Sequence, residues 1–270
     1  MHFPAGGQTR VISRYPGDVD QLRATVQRFL NHVHFQPGPA PKALIVPHAG
    51  YIYSGSVAAS AYARLCPHRD RYTRVILLGP CHRFAVSHLA LCGADVFRTL
   101  LGDVPLDKEL ISSLDLPDVR VSEAAHRFEH SLEVQLPFLQ VALGTFSLVP
   151  LVIGDARPET VAEVIHSLWG SVETLIVVSS DLSHYLLYND ARVRDQVTSD
   201  AIERFEVDRI KHSDACGATP VKGLLIEAKR RAMKVTRLDL RNSGDTAGGK
   251  NQVVGYGAWM FREPAGEERS

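Results

Sequence analysis

Three apolar runs in this chain of 270 residues each lead to a histidine. Ala43–Val46 runs through Pro47 to His48, and Val75–Leu78 through Gly79-Pro80-Cys81 to His82. Leu175–Val178 continues through Ser179-Ser180-Asp181-Leu182-Ser183 to His184. Unbroken Val/Ile/Leu runs are the pattern of strands covered on both faces, which occur in open α/β sheets. In such sheets the ligand site lies just past the carboxyl ends of the strands. The expected fold class is therefore α/β, with three imidazoles and Asp181 delivered to one rim from distant parts of the sequence.

The intervening segments fit that class. Residues 17–33 place Leu22, Val26, Phe29, Leu30 and Val33 on one helical face. Residues 31–41 form a Pro/Gly-punctuated connector, and Ala49 to Gly55 reads as a loop leading into an Ala-rich helix that ends near Leu65. Strands are expected over 74–79 and 87–92, with a helix around 107–115. Glu129 to Leu143 reads as helical, with Leu132, Leu136, Leu139 and Leu143 in register and Pro137 expected to break or kink it. Strand 147–153, helix 159–169 and strand 173–179 form a β-α-β unit. Helices at about 190–206 and 220–233 precede closing strands over 234–240 and 252–261. With no internal repeat and no linker, residues 1–262 are expected to form one domain, near the upper size for a single core. The polar stretch 263–270 is expected to be a disordered tail.

Composition narrows the function classes. Lysine plus arginine and aspartate plus glutamate number 30 each, so no basic excess points to nucleic acid or to an anionic membrane. The local cluster Lys229-Arg230-Arg231-Lys234 is expected near a helix end, solvated and interacting with the negative helix terminus. Met1 to Arg10 has no apolar stretch of signal-peptide length, and no segment nears the roughly 20 apolar residues of a membrane span. Cys66, Cys81, Cys92 and Cys216 follow no disulfide-framework spacing, which fits a reducing, cytoplasmic setting.

His48 and His82 share a placement, each following a strand end, and Gly50 would let backbone pass close to a ligand. Asp181 and His184 are three residues apart; on a helical turn they would share a face, with the acid orienting the imidazole or ligating a metal itself. An Asp helix cap is the plainer alternative. Glu129-His130-Ser131-Leu132-Glu133 gathers three ionisable groups at an expected helix start. His130 there is a candidate proton carrier, while glutamates near a positive helix end need no function. Cys216 precedes a helix expected to be capped by Thr219 with Pro220 in its first turn. That position lowers a thiol pKa and favours a soft-metal ligand or a nucleophile, although most lone cysteines are inert. Gly244 to Asn251 resembles a phosphate loop but has Asn251 where Ser or Thr should stand and a strand after it. It reads as a flexible Gly-rich loop.

These segments together resemble the Memo family, called AmmeMemoRadiSam system protein B in prokaryotes. The resemblance rests on Arg14-Tyr15-Pro16-Gly17-Asp18, on Pro47-His48-Ala49-Gly50-Tyr51 with Ser54-Gly55, and on Leu78-Gly79-Pro80-Cys81-His82. It continues through Glu129–Glu133, Val178–His184, Cys216-Gly217 with Pro220, and Val254-Gly255-Tyr256, in family order over nearly the whole chain. It implies a single-domain, three-layer α/β/α sandwich around a mostly parallel or mixed sheet, similar to class III extradiol dioxygenases. It also implies a metal held by His48, His82 and Cys216, with iron(II) or copper expected and zinc as an alternative, and Asp181 and His184 beside it. A thiolate where the dioxygenases use a carboxylate argues against ordinary catechol cleavage. Cys81 stands where the family usually has Ser, and Arg83 where a second His is common.

The leading expectation is a cytoplasmic redox protein acting on oxygen or a small molecule, with His184, Asp181 and His130 as catalytic candidates. The resemblance further implies association with radical-SAM and AMMECR1-like proteins. Two alternatives remain at this stage: a non-catalytic metal-binding or signalling adaptor, and a metal-free hydrolase using Cys216 and His184.

Overall fold

The computed structural model describes residues 15–264. Arg14 and the tail residues 265–270 lie outside the described residues. The chain begins with helix α1 (Val19–Asn31), strand β1 (Ala43–Val46), helix α2 (Tyr51–Tyr62), and strands β2 (Arg74–Pro80) and β3 (Leu89–Leu91). Strands β4 (Val96–Thr99) and β5 (Gly102–Pro105), helix α3 (Lys108–Ser113), strand β6 (Val119–Val121) and helix α4 (Glu123–His126) follow. Then come α5 (Leu136–Leu143), β7 (Ser147–Ile153), α6 (Pro158–Ser167), β8 (Thr174–Ser179), β9 (His184–Leu186) and α7 (Tyr188–Glu203). Helix α8 (Ala218–Arg230) and strands β10 (Lys234–Asn242) and β11 (Val253–Arg262) complete the set.

The main sheet has the order β10-β11-β1-β8-β2-β7-β3-β6, with β9 attached to β11. β1, β8, β2 and β7 are mutually parallel, while β11 runs antiparallel to β1 and β10, and β3 antiparallel to β7. The sheet is therefore mixed. Because side chains alternate across a strand, Leu77 joins an apolar layer with Leu22, Tyr62, Leu136 and Phe138 from α1, α2 and α5. Its neighbour Ile76 enters the opposite layer with Val161, Leu224 and Phe261. Helices thus cover both faces and the fold is a three-layer α/β/α sandwich. The carboxyl ends of β1, β2 and β8 lie side by side at one rim, as the apolar runs require.

Several local expectations are corrected. Helix α2 begins at Tyr51 directly behind Gly50, with no intervening loop. It ends at Tyr62, and a 3₁₀ segment over Ala63–Arg71 accommodates Pro67. Only the end of 129–143 is α-helical. The Glu129 carboxylate accepts the His130 and Ser131 amides, a local bond that competes with helix formation. Pro137 neither breaks nor kinks α5; it sits in its first turn, where a missing N–H is tolerated. Asp181 to His184 is not a helical turn but runs into β9, leaving Asp181 buried and His184 exposed. Helix α8 is capped by Gly217, so Thr219 lies inside its first turn. The 244–251 segment opens with a 3₁₀ turn held by reciprocal bonds between Asn242 and Asp245. Strands β4, β5 and β6, each three or four residues long, are too short and polar to register in the pattern.

Candidate metal centre

His48 is the best-held of the rim histidines. Its backbone N–H donates to Asp181 Oδ1 at 2.7 Å, its ring Nδ1 lies 2.9 Å from Ser179 Oγ, and the residue is 2% exposed. The network fixes its tautomer. Ser179 donates its hydroxyl hydrogen to the Ser131 carbonyl at 2.6 Å and accepts from Gln135 Nε2 at 2.7 Å. Ser179 Oγ must then accept from Nδ1 as well, so His48 carries hydrogen on Nδ1 and presents a bare Nε2. Gln135 is oriented in turn, because its Nε2 also donates to the Pro47 carbonyl and its Oε1 accepts from Tyr62.

His82 is set by Glu129 in the same way. Glu129 Oε2 accepts the His82 amide at 2.5 Å, and Oε1 lies 2.9 Å from His82 Nδ1. Burial alone would raise the Glu129 pKa. The hydrogen bond and charge of the His82 ring and the amides of His82 and Ser131 outweigh it, holding the acid down to about 2. An ionised carboxylate facing Nδ1 makes Nδ1 the donor, so His82 also offers Nε2. His130 Nδ1 lies 3.4 Å from the same Glu129 oxygen, and the His82 and His130 rings stack with centroids 4.9 Å apart. Gly79 permits this closeness: a β-carbon there would stand 2.7 Å from Ser131 Oγ and 2.8 Å from Leu132.

His48, His82 and His130 bring one ligand atom each to within 4.8 Å of one another. Cys216 Sγ lies 3.3 Å from His48 Nε2, on the loop that precedes α8. Burial, with the Asp181 charge second, pushes this thiol far above its ordinary range. The depression expected from a helix N-terminus is therefore overturned by desolvation. Gly217 seats the loop, since a β-carbon would meet Ser180 Cβ at 2.7 Å and the Ser179 carbonyl at 2.8 Å. The donor set fits a metal ion: three imidazoles, two of them with Nδ1 tied back by a hydroxyl or carboxylate, converge beside a sulfur.

The other sequence candidates take different positions. Asp181 serves His48, its Oδ2 lying 4.0 Å from Nε2, whereas His184 directs Nδ1 to the Leu182 carbonyl at 2.8 Å. Glu133 accepts from Tyr15 Oη at 2.6 Å, away from Glu129. Cys81 turns its sulfur to the Phe84 carbonyl, and Arg83 is exposed. Gln135 and Ser131 are the supporting residues that sequence reasoning gave no role. Their contribution depends on contacts across the rim, and only the Glu129–Glu133 motif pointed near them.

Comparison with known proteins shows the family. Residues 11–260 match the family described as Memo-like protein. A MEMO1 family protein of Aquifex aeolicus is 36% identical over 262 residues, covering 92% of this chain and 95% of the relative. One from Sulfolobus acidocaldarius is 39% identical over 236 residues, covering 82% of each. Among solved structures, the uncharacterized protein JW3007 from Escherichia coli K12 superposes with a TM-score of 0.50 at 14% identity. That superposition covers 80% of this chain and 98% of that one, a likeness of fold alone. With its sequence matched from end to end of the sandwich, this chain belongs to the Memo family.

Proposed function

We propose that this protein binds iron or copper through His48, His82 and Cys216, with His130 as a further imidazole donor, and acts as an oxygen-using redox enzyme. The observation that carries the reading is the convergence of His48, His82 and His130 with Cys216 Sγ at 3.3 Å from His48 Nε2. A bound iron or copper ion would supply the redox capacity that these side chains lack.

The chain's own residues do the rest. Ser179 and Glu129 hold the His48 and His82 rings so that their Nε2 lone pairs face the site. Asp181 fixes the His48 backbone. His184 keeps hydrogen on Nδ1 against the Leu182 carbonyl, leaving an exposed Nε2 to accept a proton from a small-molecule substrate. The buried floor around His48 keeps water out, while the part-exposed His82 marks the open side.

The metal-free hydrolase is disfavoured, because a nucleophilic cysteine needs a lowered pKa and burial moves Cys216 the other way. A non-catalytic metal-binding adaptor shares the same donor set and differs only in turnover. No helix among the described residues is long and apolar enough to cross a membrane. The proposed setting is the cytoplasm, in association with radical-SAM and AMMECR1-like proteins.

Elemental analysis of anaerobically purified protein, beside Cys216→Ser and His48→Ala, is the test. Near-stoichiometric iron or copper that is lost in both variants is the expected result. A wild-type protein that is metal-free and refuses reconstitution overturns the reading. Tight metal retention with no oxygen consumption would select the adaptor.

A further inference from the structure

We infer that Asp195 is a positioning residue for His184, acting on the imidazole through the peptide group that joins Leu182 to Ser183. The inference rests on the reading of His184 as the proton acceptor beside the histidine cluster. Asp195 lies on α7 and is 3% exposed. Its Oδ1 accepts the Ser183 N–H at 3.0 Å. The carbonyl of that same peptide group belongs to Leu182 and accepts the Nδ1 hydrogen of His184 at 2.8 Å. Carboxylate, peptide and imidazole thus stand in series, and hydrogen bonds in such a chain polarise one another. An ionised Asp195 draws on the amide hydrogen, places more negative charge on the Leu182 oxygen and strengthens its hold on Nδ1. The Nε2 lone pair of His184 is thereby kept outward, toward a substrate.

Three features mark the arrangement as built around the carboxylate. Among the described residues no cation forms an ion pair with Asp195; its neighbour Arg194 pairs instead with Asp214 at 2.7 Å. A buried carboxylate without a counter-charge is costly, and burial lifts Asp195 to about 6, which leaves it ionised at pH 8. Strand β11 is shaped to admit it, since a β-carbon on Gly255 would stand 2.0 Å from Asp195 Oδ2. Gly255 also accepts from the Leu182 amide and donates to the Ser183 carbonyl, each at 2.8 Å, so the chain on either side of the linking peptide is pinned. Finally, Tyr185 has a φ of 58°, a left-handed conformation that strains a residue carrying a β-carbon. Its side chain is 71% exposed, so no burial of its own offsets the strain. The bonds at Leu182, Ser183 and His184 hold the chain there.

The test is ¹H–¹⁵N spectroscopy of the full chain at pH 8, read at the His184 ring, beside Asp195→Asn. Asparagine keeps the size and can still accept the Ser183 amide, but it carries no charge. In wild type the ring hydrogen is expected on Nδ1. In Asp195→Asn the share of molecules with hydrogen on Nε2 should rise about threefold or more, within the reach of one unit charge across a buried peptide. His32, whose Nδ1 meets the Arg28 carbonyl at the end of α1, should be unchanged. The readout needs neither metal nor turnover, so its failure is distinct from failure of the metal centre. In His184→Ala, at an exposed position, the Leu182 carbonyl ¹³C resonance should still follow the titration of the Asp195 carboxyl. That measurement decides the matter if Asp195→Asn fails to fold. An unchanged His184 ring in folded Asp195→Asn, or a Leu182 carbonyl indifferent to the Asp195 titration, overturns the inference.

Discussion

One carboxylate, Glu129, organises more of the rim than any proposed metal ligand does. It receives the amides of His82, His130 and Ser131 as well as the His82 ring. Glu129→Gln would place an amide group where these donors need an acceptor. Metal affinity, read by chelator competition, should fall about 10- to 100-fold; unchanged affinity would refute the role. Because the folded Glu129 pKa lies near 2 against an ordinary 4.5, its stabilisation is present above 4.5 and lost as pH falls toward 2. Asp195 has the opposite sign. Burial lifts it from 3.8 to about 6, so its contribution is present below 3.8 and lost as pH rises through 6. In melting scans from pH 4 to 7, Asp195→Asn should therefore gain stability relative to wild type as pH rises; parallel curves would exclude this. At this scale His48 and His82 were legible because each follows an apolar run. Gln135 and the tautomer-fixing part played by Ser179 were not, because their partners come from other strands and loops.

At the scale of elements, the junction between β8 and α8 sets the Cys216 position. Gly217 packs against Ser179 and Ser180 with no room for a β-carbon. Gly217→Ala should cost about 1–3 kcal/mol in chemical denaturation and loosen metal retention together with it. A loss of stability without any effect on retention would separate the loop from the site. The sequence placed α8 and β8 correctly but misjudged the junctions. A threonine before a proline suggests a cap, yet close packing against Ser180 moves the cap to Gly217 and turns Thr219 inward. Likewise, the periodicity of 129–143 suggested one helix, because it could not show that Glu129 would draw the two following amides to its own side chain. Junctions are decided by tertiary contacts, which hydrophobic spacing does not encode.

For the whole molecule, the sheet separates two apolar layers, and their independence can be measured. Leu136→Ala in one layer and Leu224→Ala in the other should each cost about 2–5 kcal/mol. The double variant should equal their sum within about 0.5 kcal/mol; a larger departure would mean that strain passes through the sheet. The centre of the sandwich was legible because β1, β2, β7 and β8 are continuous apolar runs. Its β3–β6 edge was less so, since short strands carry too few residues for a pattern. The position of β1 has a consequence for how the protein is made. β1 lies between β8 and β11, pairing Ala43 with Ile176 on one side and Phe261 on the other. Ribosomes therefore emit the His48 strand long before either neighbour, and it waits unpaired while most of the chain is translated. His48 and Cys216 meet only after synthesis has passed α8, so acquisition of the proposed ion at the full site would belong to the finished polypeptide rather than to the nascent one.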